Sequence, residues 1–399
     1  MSDFDAGRAG KMRAEPAANG DSAGRPGDVR GTFPFERWGP LWSGLARVAG
    51  QLPPAWQQDE AARAMGGQWL GASRGGRADG GLVRPLGERS DPQGPRFDQD
   101  VPPGGYRWWY VDAESDCGQY GLTIIAFIGS VFSPYYKAAG RTAPEDHVSL
   151  NVALYGKGCR RWAMTERGAG ALFRDTATLR IGPSQVRWDG NCLVIDIEEE
   201  SAVLPLPVRG QVRVTPTVFG QRRFRLDPSG RHIWEPLGPC ARVELTCTNP
   251  KISWAGTGYL DANHGAEPLE DGFADWQWSR AHLADGSTAV MYEGQLRDGT
   301  DFGMALKITP DGQAEVLEMP ARVVLPKTLW RLDRFTRADA GYTARVRATW
   351  EDTPFYSRTA LATRLWGEDV VAVHESLNMN RFATGAVQWM LPWRMPRKV

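Results

Sequence analysis

From about residue 97 onward, apolar and polar positions alternate in short runs broken by turn residues, and apolar spacing of the helical kind is scarce. Runs at 121–130, 147–155, 160–166, 178–181, 185–189, 192–198 and 211–218 read as strands. A second round follows at 241–248, 253–261, 273–283, 288–296, 303–309, 314–324, 329–335, 341–351, 356–366, 369–377 and 388–391. Hairpin signals recur between them, as at Asp189-Gly190, Asp285-Gly286, Asp298-Gly299 and Asp311-Gly312. The pattern predicts an all-β protein of two tandem antiparallel barrel or sandwich domains, 96–235 and 236–399. Residues 1–95 break the pattern. Gly, Pro, Ala, Arg and Asp dominate there, too little apolar surface to offset ordering entropy, so this segment is expected to be mostly disordered. One island within it carries Phe33, Phe35, Trp38, Leu41, Trp42, Leu45 and Val48, which suits an amphipathic helix on a membrane surface or a plain docking segment.

The densest chemistry lies in 253–270, where an acid, an imidazole, a phenol and an indole sit among Gly256, Gly258 and Gly265. Glycine inside a strand marks close approach of a ligand or of another backbone. Strand parity then groups the side chains: Tyr259 and Asp261 share one face while Leu260 takes the other. The same rule pairs His232 with Trp234 upstream. If both strands border one cavity, a carboxyl, a phenol, an imidazole and an indole meet there.

Composition narrows the chemistry. Lys plus Arg equals Asp plus Glu at 47 each in 399 residues, so no electrostatic grip on nucleic acid is expected. Five scattered cysteines with no C-x-x-C pair indicate neither a zinc site nor a disulfide framework, which suits a reducing cytoplasm. The first residues carry no apolar signal core, and no run of about 18 apolar residues occurs, so neither export by a signal peptide nor a transmembrane helix is expected. No phosphate-cradling glycine loop, nucleophile elbow or H-E-x-x-H is present, which favours acid-base chemistry with no metal and no cofactor.

Asp261 is the candidate acid, because a carboxyl among Trp and Tyr rings is desolvated and can stay protonated at neutral pH. The alternative is a turn-forming Asp beside Asn263 and Gly265. His264 could join Asp261 as a metal ligand or face a ligand, and a loop histidine is the bland reading. Trp254, Trp276, Trp278 and Tyr292 are candidates to line an apolar cavity, with core packing as the alternative for each. A carbohydrate-active reading needs a second carboxylate near Asp261, for which Glu235, Glu267 and Asp275 are the neighbours in sequence. A third reading is a non-enzymatic carrier of apolar ligands.

The run 254–265 (W-A-G-T-G-Y-L-D-A-N-H-G), preceded by His232-Ile233-Trp234-Glu235-Pro236 and followed by 271–280, resembles the carotenoid 1,2-hydratases, or hydroxyneurosporene synthases. R-W-W-Y-V-D-A-E-S-D-C-G at 107–118 and F-I-G-S-V-F-S-P-Y-Y at 127–136 are similar to the opening of that family, and the resemblance runs from about 97 to the end. It implies tandem lipocalin-like β-domains and cofactor-free hydration of the terminal double bond of acyclic carotenoids such as neurosporene and lycopene. It also implies Asp261 as the proton donor, with His232, Trp234 and Tyr259 in the site. The chemistry is coherent: protonating a trisubstituted alkene leaves a tertiary cation, which aromatic faces stabilise by about 0.5–2 kcal/mol each before water adds. Either the aspartate left behind or His232 is available to take the water's proton. A lipid-dissolved substrate further implies peripheral contact with the cytoplasmic side of the inner, photosynthetic membrane, with 389–395 (W-M-L-P-W-R-M) and the island at 33–45 as contact segments.

Overall fold

The computed structural model describes residues 81–82, 84–89, 94–220 and 222–398. The expected disorder of 1–95 and the apolar island at 33–45 therefore lie almost wholly outside the described residues, although Arg84–Glu88 forms a strand against Arg222–Arg225.

The all-β expectation holds. Among the described residues, fourteen strands form one sheet and eight a second, with the hairpin Ala321–Leu325/Arg334–Ala338 beside them. Pairing is antiparallel except where the short strands Gly81–Leu82 and Arg397–Lys398 join. The centre of the first sheet runs Val148–Tyr155, Gly121–Ile128, Tyr106–Ser115, Lys251–Gly265, His232–Asn249, Pro207–Pro216. This sheet curls over in the lipocalin-like manner, so that Val148–Tyr155 packs against Thr178–Ile181 and one core draws Leu150 and Val152 together with Leu179 and Ile181. Arg167 closes the curl by an ion pair with Glu199 at 2.8 Å. The second sheet has Asp301–Ile308, Thr288–Leu296, Phe273–His282, Glu368–Asn378, Tyr356–Leu365 and Arg345–Asp352 in that order.

Between the sheets lies a separate core, rich in aromatic rings, to which strand parity assigns one side chain in two. On Tyr106–Ser115, Tyr106, Trp108 and Tyr110 enter this core, while Trp109, Val111 and Ala113 face the core inside the curl. Opposite them stand Trp276 and Trp278 from Phe273–His282. One charged cluster is buried at the same seam. Asp112 accepts from Arg280 Nε at 2.7 Å and from Arg358 at 2.7 Å, and none of the three reaches solvent. Buried carboxylates are tolerated when paired in this way.

Two expectations need correction. A division after residue 235 would cut the strand His232–Asn249, and the strand bearing Tyr259 and Asp261 hydrogen-bonds to Tyr106–Ser115 in the first sheet. The chain leaves that sheet after Gly265 and enters the second at Phe273. The apolar run 388–391, read as a strand, belongs to the helix Gly385–Arg394. Val387 and Leu391, four apart, are buried while Trp389 and Trp393 are exposed, a helical period that a four-residue window does not display.

Candidate active site

Asp261 sits in the inter-sheet core at 4 % exposure. Parity puts Tyr259 beside it, and the Tyr259 hydroxyl donates to Asp261 Oδ2 at 2.9 Å. The neighbouring strand supplies Trp234, whose Nε1–H donates to the same oxygen at 2.8 Å. Oδ1 has no hydrogen-bond partner, and no Lys, Arg or His among the described residues forms an ion pair with the carboxyl. Burial therefore dominates and pushes the Asp261 carboxyl up to about 8, against the opposing pull of the Trp234 and Tyr259 donors. Burial likewise raises the Tyr259 phenol well above its ordinary value, so it remains a donor at neutral pH.

His232 shares the face of Trp234 but makes different contacts. Its Nε2 lies 3.1 Å from Glu267 Oε1 and its Nδ1 lies 2.9 Å from the Tyr106 hydroxyl. A carboxylate only accepts, so Nε2 carries the ring proton and Nδ1 accepts from Tyr106. Burial lowers the imidazole's pKa, and both ring nitrogens are occupied. Gly265 makes this possible: a Cβ there would stand 2.5 Å from the Tyr106 ring and 2.9 Å from His232 Nδ1. The glycines thus admit neighbouring parts of the protein. At Gly258 a Cβ would meet Val243 at 2.2 Å.

Around Asp261 the structure gathers three of the other candidates. Trp278 packs on Tyr259 with ring centroids 5.3 Å apart, Tyr292 on Trp234 at 5.7 Å, and Trp276 on Tyr292 at 6.0 Å. It separates two. Trp254 has the parity of Leu260 and packs against the core inside the curl. His264 also faces away from Asp261, 3.5 Å from Glu235, where burial first and then Arg107 and Arg223 hold its pKa down to about 2. The carboxylates sought near Asp261 are engaged elsewhere: Glu235 with Arg89 and Arg107, and Glu267 with Arg231 and His232. Asp275 has the opposite parity to Trp276 and Trp278 on its strand.

Sequence reading missed Tyr110 and Glu375. Tyr110 is the ladder partner of Asp261, and its hydroxyl lies 2.9 Å from Glu375 Oε1. Period-two parity within R-W-W-Y would have put Trp108 and Tyr110 on one face. Glu375 gave a fainter signal, a lone acid at the end of the apolar run 370–373.

An apolar cavity of about 290 Å³ adjoins this group. Its buried end is walled by Trp108, Tyr110, Trp276 and Glu375, and its outer end by Trp330, Met390 and Arg394. Asp261 is not on the wall; it lies behind Tyr110, its ladder partner. Trp276 alone of the candidate ligand-facing residues lines the cavity.

The chain is similar to known proteins along most of its length. The model of the family described as carotenoid hydratase CrtC matches residues 124–399. An acyclic carotenoid 1,2-hydratase of Thiocapsa roseopersicina is 48% identical over 93% of this chain and 92% of its own length. That of Rubrivivax gelatinosus is 46% identical over 99% of this chain and 95% of its own, and that of Cereibacter sphaeroides 40% over 69% and 98%. With the family match spanning well over half its length and relatives this similar along nearly all of it, the chain belongs to the carotenoid hydratase family.

Proposed function

We propose that the protein adds water across the terminal 1,2 double bond of acyclic carotenoids such as lycopene and neurosporene, without a cofactor, and that Asp261 is the acid. One observation carries the reading. Asp261 is a buried carboxyl with two neutral donors on one oxygen and none on the other, so at neutral pH it holds a proton on Oδ1. The names of the relatives supply the substrate class.

Protonation of the alkene by Asp261 forms a carbon–hydrogen bond at carbon 2 and leaves a tertiary cation at carbon 1. The rings of Tyr259, Trp278 and Tyr110, mutually packed at 5.3–6.3 Å, stabilise that cation, each by about 0.5–2 kcal/mol. The new Asp261 carboxylate adds an attractive charge held in place before the reaction. Trp234 and Tyr259 orient the carboxyl, and His232, with both nitrogens bound, holds Tyr106 and Glu267 in place. Tyr110, which lines the cavity and is the ladder partner of Asp261, is the side chain between the cavity and the acid.

The cavity is at the lower edge of the range of ligand pockets, about 300–1,000 Å³. It suits one end of a long polyene, with the remainder outside. Trp330 on its outer wall is exposed, and so are Leu329, Trp389 and Trp393, which adjoin the lining residues Trp330, Met390 and Arg394 in sequence, Trp389 at 71%. Exposed aromatic side chains are suited to the lipid interface, and the exposed Arg331 next to Trp330 to anionic headgroups. The exposed indoles support a peripheral contact with the membrane; no helix among the described residues is long and apolar enough to cross one.

Purified protein dialysed against chelator, given lycopene in phosphatidylcholine vesicles, should yield a more polar product that has gained the elements of one water. Carotenoid recovered bound but unchanged would replace this reading with that of a carrier.

A further inference from the structure

A second carboxyl group completes the reaction, on the reading that Asp261 protonates the alkene. Asp261 faces Tyr110 across the ladder, and directly opposed residues keep their Cβ atoms about 4.5–5.5 Å apart. The Tyr110 hydroxyl reaches Glu375 Oε1 at 2.9 Å and Asp112 Oδ2 at 3.1 Å. Glu375 is in turn the ladder partner of Trp278, whose ring packs on both Tyr259 and Tyr110. The circuit Asp261, Tyr110, Glu375, Trp278, Tyr259 therefore closes around one point. Glu375 is close enough for its charge to act on Asp261.

The two carboxyls are held in opposite states. Asp261 has neutral donors alone, whereas Glu375 is bound by the Arg358 guanidinium, which also grips Asp112. The Arg358 contact favours the carboxylate form of Glu375, and burial, opposed by Arg358, raises its pKa and so makes it a stronger proton acceptor. Glu375 also lines the cavity, and Asp261 does not. Of the three acids on that wall, Glu375 is the one bonded to Tyr110, the ladder partner of Asp261; Glu351 is held by Tyr155 and Arg394, and Asp352 accepts the Leu329 N–H.

We propose that Glu375 positions the attacking water from the cavity side and accepts its proton. In the first step the Asp261 O–H bond breaks, and the alkene's electron pair takes that proton at carbon 2. In the second, a water lone pair forms the carbon 1–oxygen bond, one water O–H bond breaks, and its proton passes to the Glu375 carboxylate. One proton has then moved from Asp261 to Glu375. Exchange with water entering as product leaves restores both groups, and the sum is alkene plus water giving alcohol. Without the base, the protonated alcohol expels water again and the cation returns to alkene.

The test is full-length protein with lycopene in phosphatidylcholine vesicles in deuterium oxide, read for hydrated product and for deuterium in recovered lycopene. Glu375→Gln should cut hydration by about 100-fold or more, in the range of lost general-base catalysis, while deuterium still enters recovered lycopene. Asp261→Asn should abolish both. Hydration by Glu375→Gln within a few-fold of wild type would overturn the proposal, as would joint loss of hydration and exchange in a variant that melts and binds lycopene normally. Continued exchange by Asp261→Asn would instead sink the acid assignment, whatever Glu375→Gln does. Should Glu375→Gln fail to fold, Tyr110→Phe decides: it removes a donor to the ionised Glu375, so the acidic limb of the rate profile should move up, and an unmoved limb refutes the role.

Discussion

Trp234 Nε1 lies 2.8 Å from Asp261 Oδ2, across two neighbouring strands and 27 residues of sequence. Tyr259 bonds the same oxygen, and the other oxygen is bare. A carboxyl solvated on one side by neutral groups, and on the other by nothing, keeps its proton on the bare side. The expected behaviour of the variants follows from that asymmetry.

Activity should fall as pH rises through about 8, where Asp261 loses its proton. Stability should follow with a definite sign. The folded value stands above the unfolded value of about 3.9, so Asp261 favours folding below that pH and its contribution is lost as pH climbs to about 8. Asp261→Asn has no such proton. Its melting temperature relative to wild type should therefore rise between pH 5 and pH 9, and parallel curves would show that the carboxyl is ionised throughout.

Trp234→Phe and Tyr259→Phe each remove a donor that favours the ionised carboxylate. A hydrogen bond to a charged group is worth about 1.5–3 kcal/mol, or about one pH unit or more. The alkaline limb of each variant's profile should shift upward by about that much, with lower maximal rate because the carboxyl is less well oriented. Rate profiles from pH 6 to 10 would measure it.

Strand parity in the sequence put Tyr259 with Asp261 and His232 with Trp234, because alternation is a local property of extended backbone. It also explains what went astray: applied to Trp254 and His264, the same rule assigns them to the face of Leu260, away from the acid. The joining of Tyr110 and Asp112 to Arg358 and Glu375 was not legible for a different reason. Their partners lie far along the chain, Tyr110 and Glu375 265 residues apart, and pairing at that range is set by sheet order rather than by any local pattern. The helix Gly385–Arg394 was misread because a short apolar run suits either period.

Arg358→Met should destabilise the protein strongly while leaving the contacts of Asp261 with Trp234 and Tyr259 in place. It strips a partner from Asp112, which is wholly buried, and from Glu375. Breaking a buried ion pair from one side costs about 3–5 kcal/mol, a loss that urea unfolding at pH 7 would register.

Trp389→Ser combined with Trp393→Ser should weaken sedimentation with anionic vesicles and raise the apparent KM for vesicle-borne lycopene, with little change in kcat. Both indoles are exposed on the helix whose Val387, Met390, Leu391 and Arg394 line the cavity. Unchanged vesicle binding would move the membrane contact to another part of the chain.

The most direct test follows the proton itself. Wild type and Asp261→Asn are incubated with lycopene in deuterium oxide, after melts confirm that both are folded, and the label at carbon 2 of the product is read by mass spectrometry and NMR. Wild type should place one deuterium there, and Asp261→Asn should form no product above background. Labelled product from Asp261→Asn at a rate near that of wild type would contradict Asp261 as the source of the proton.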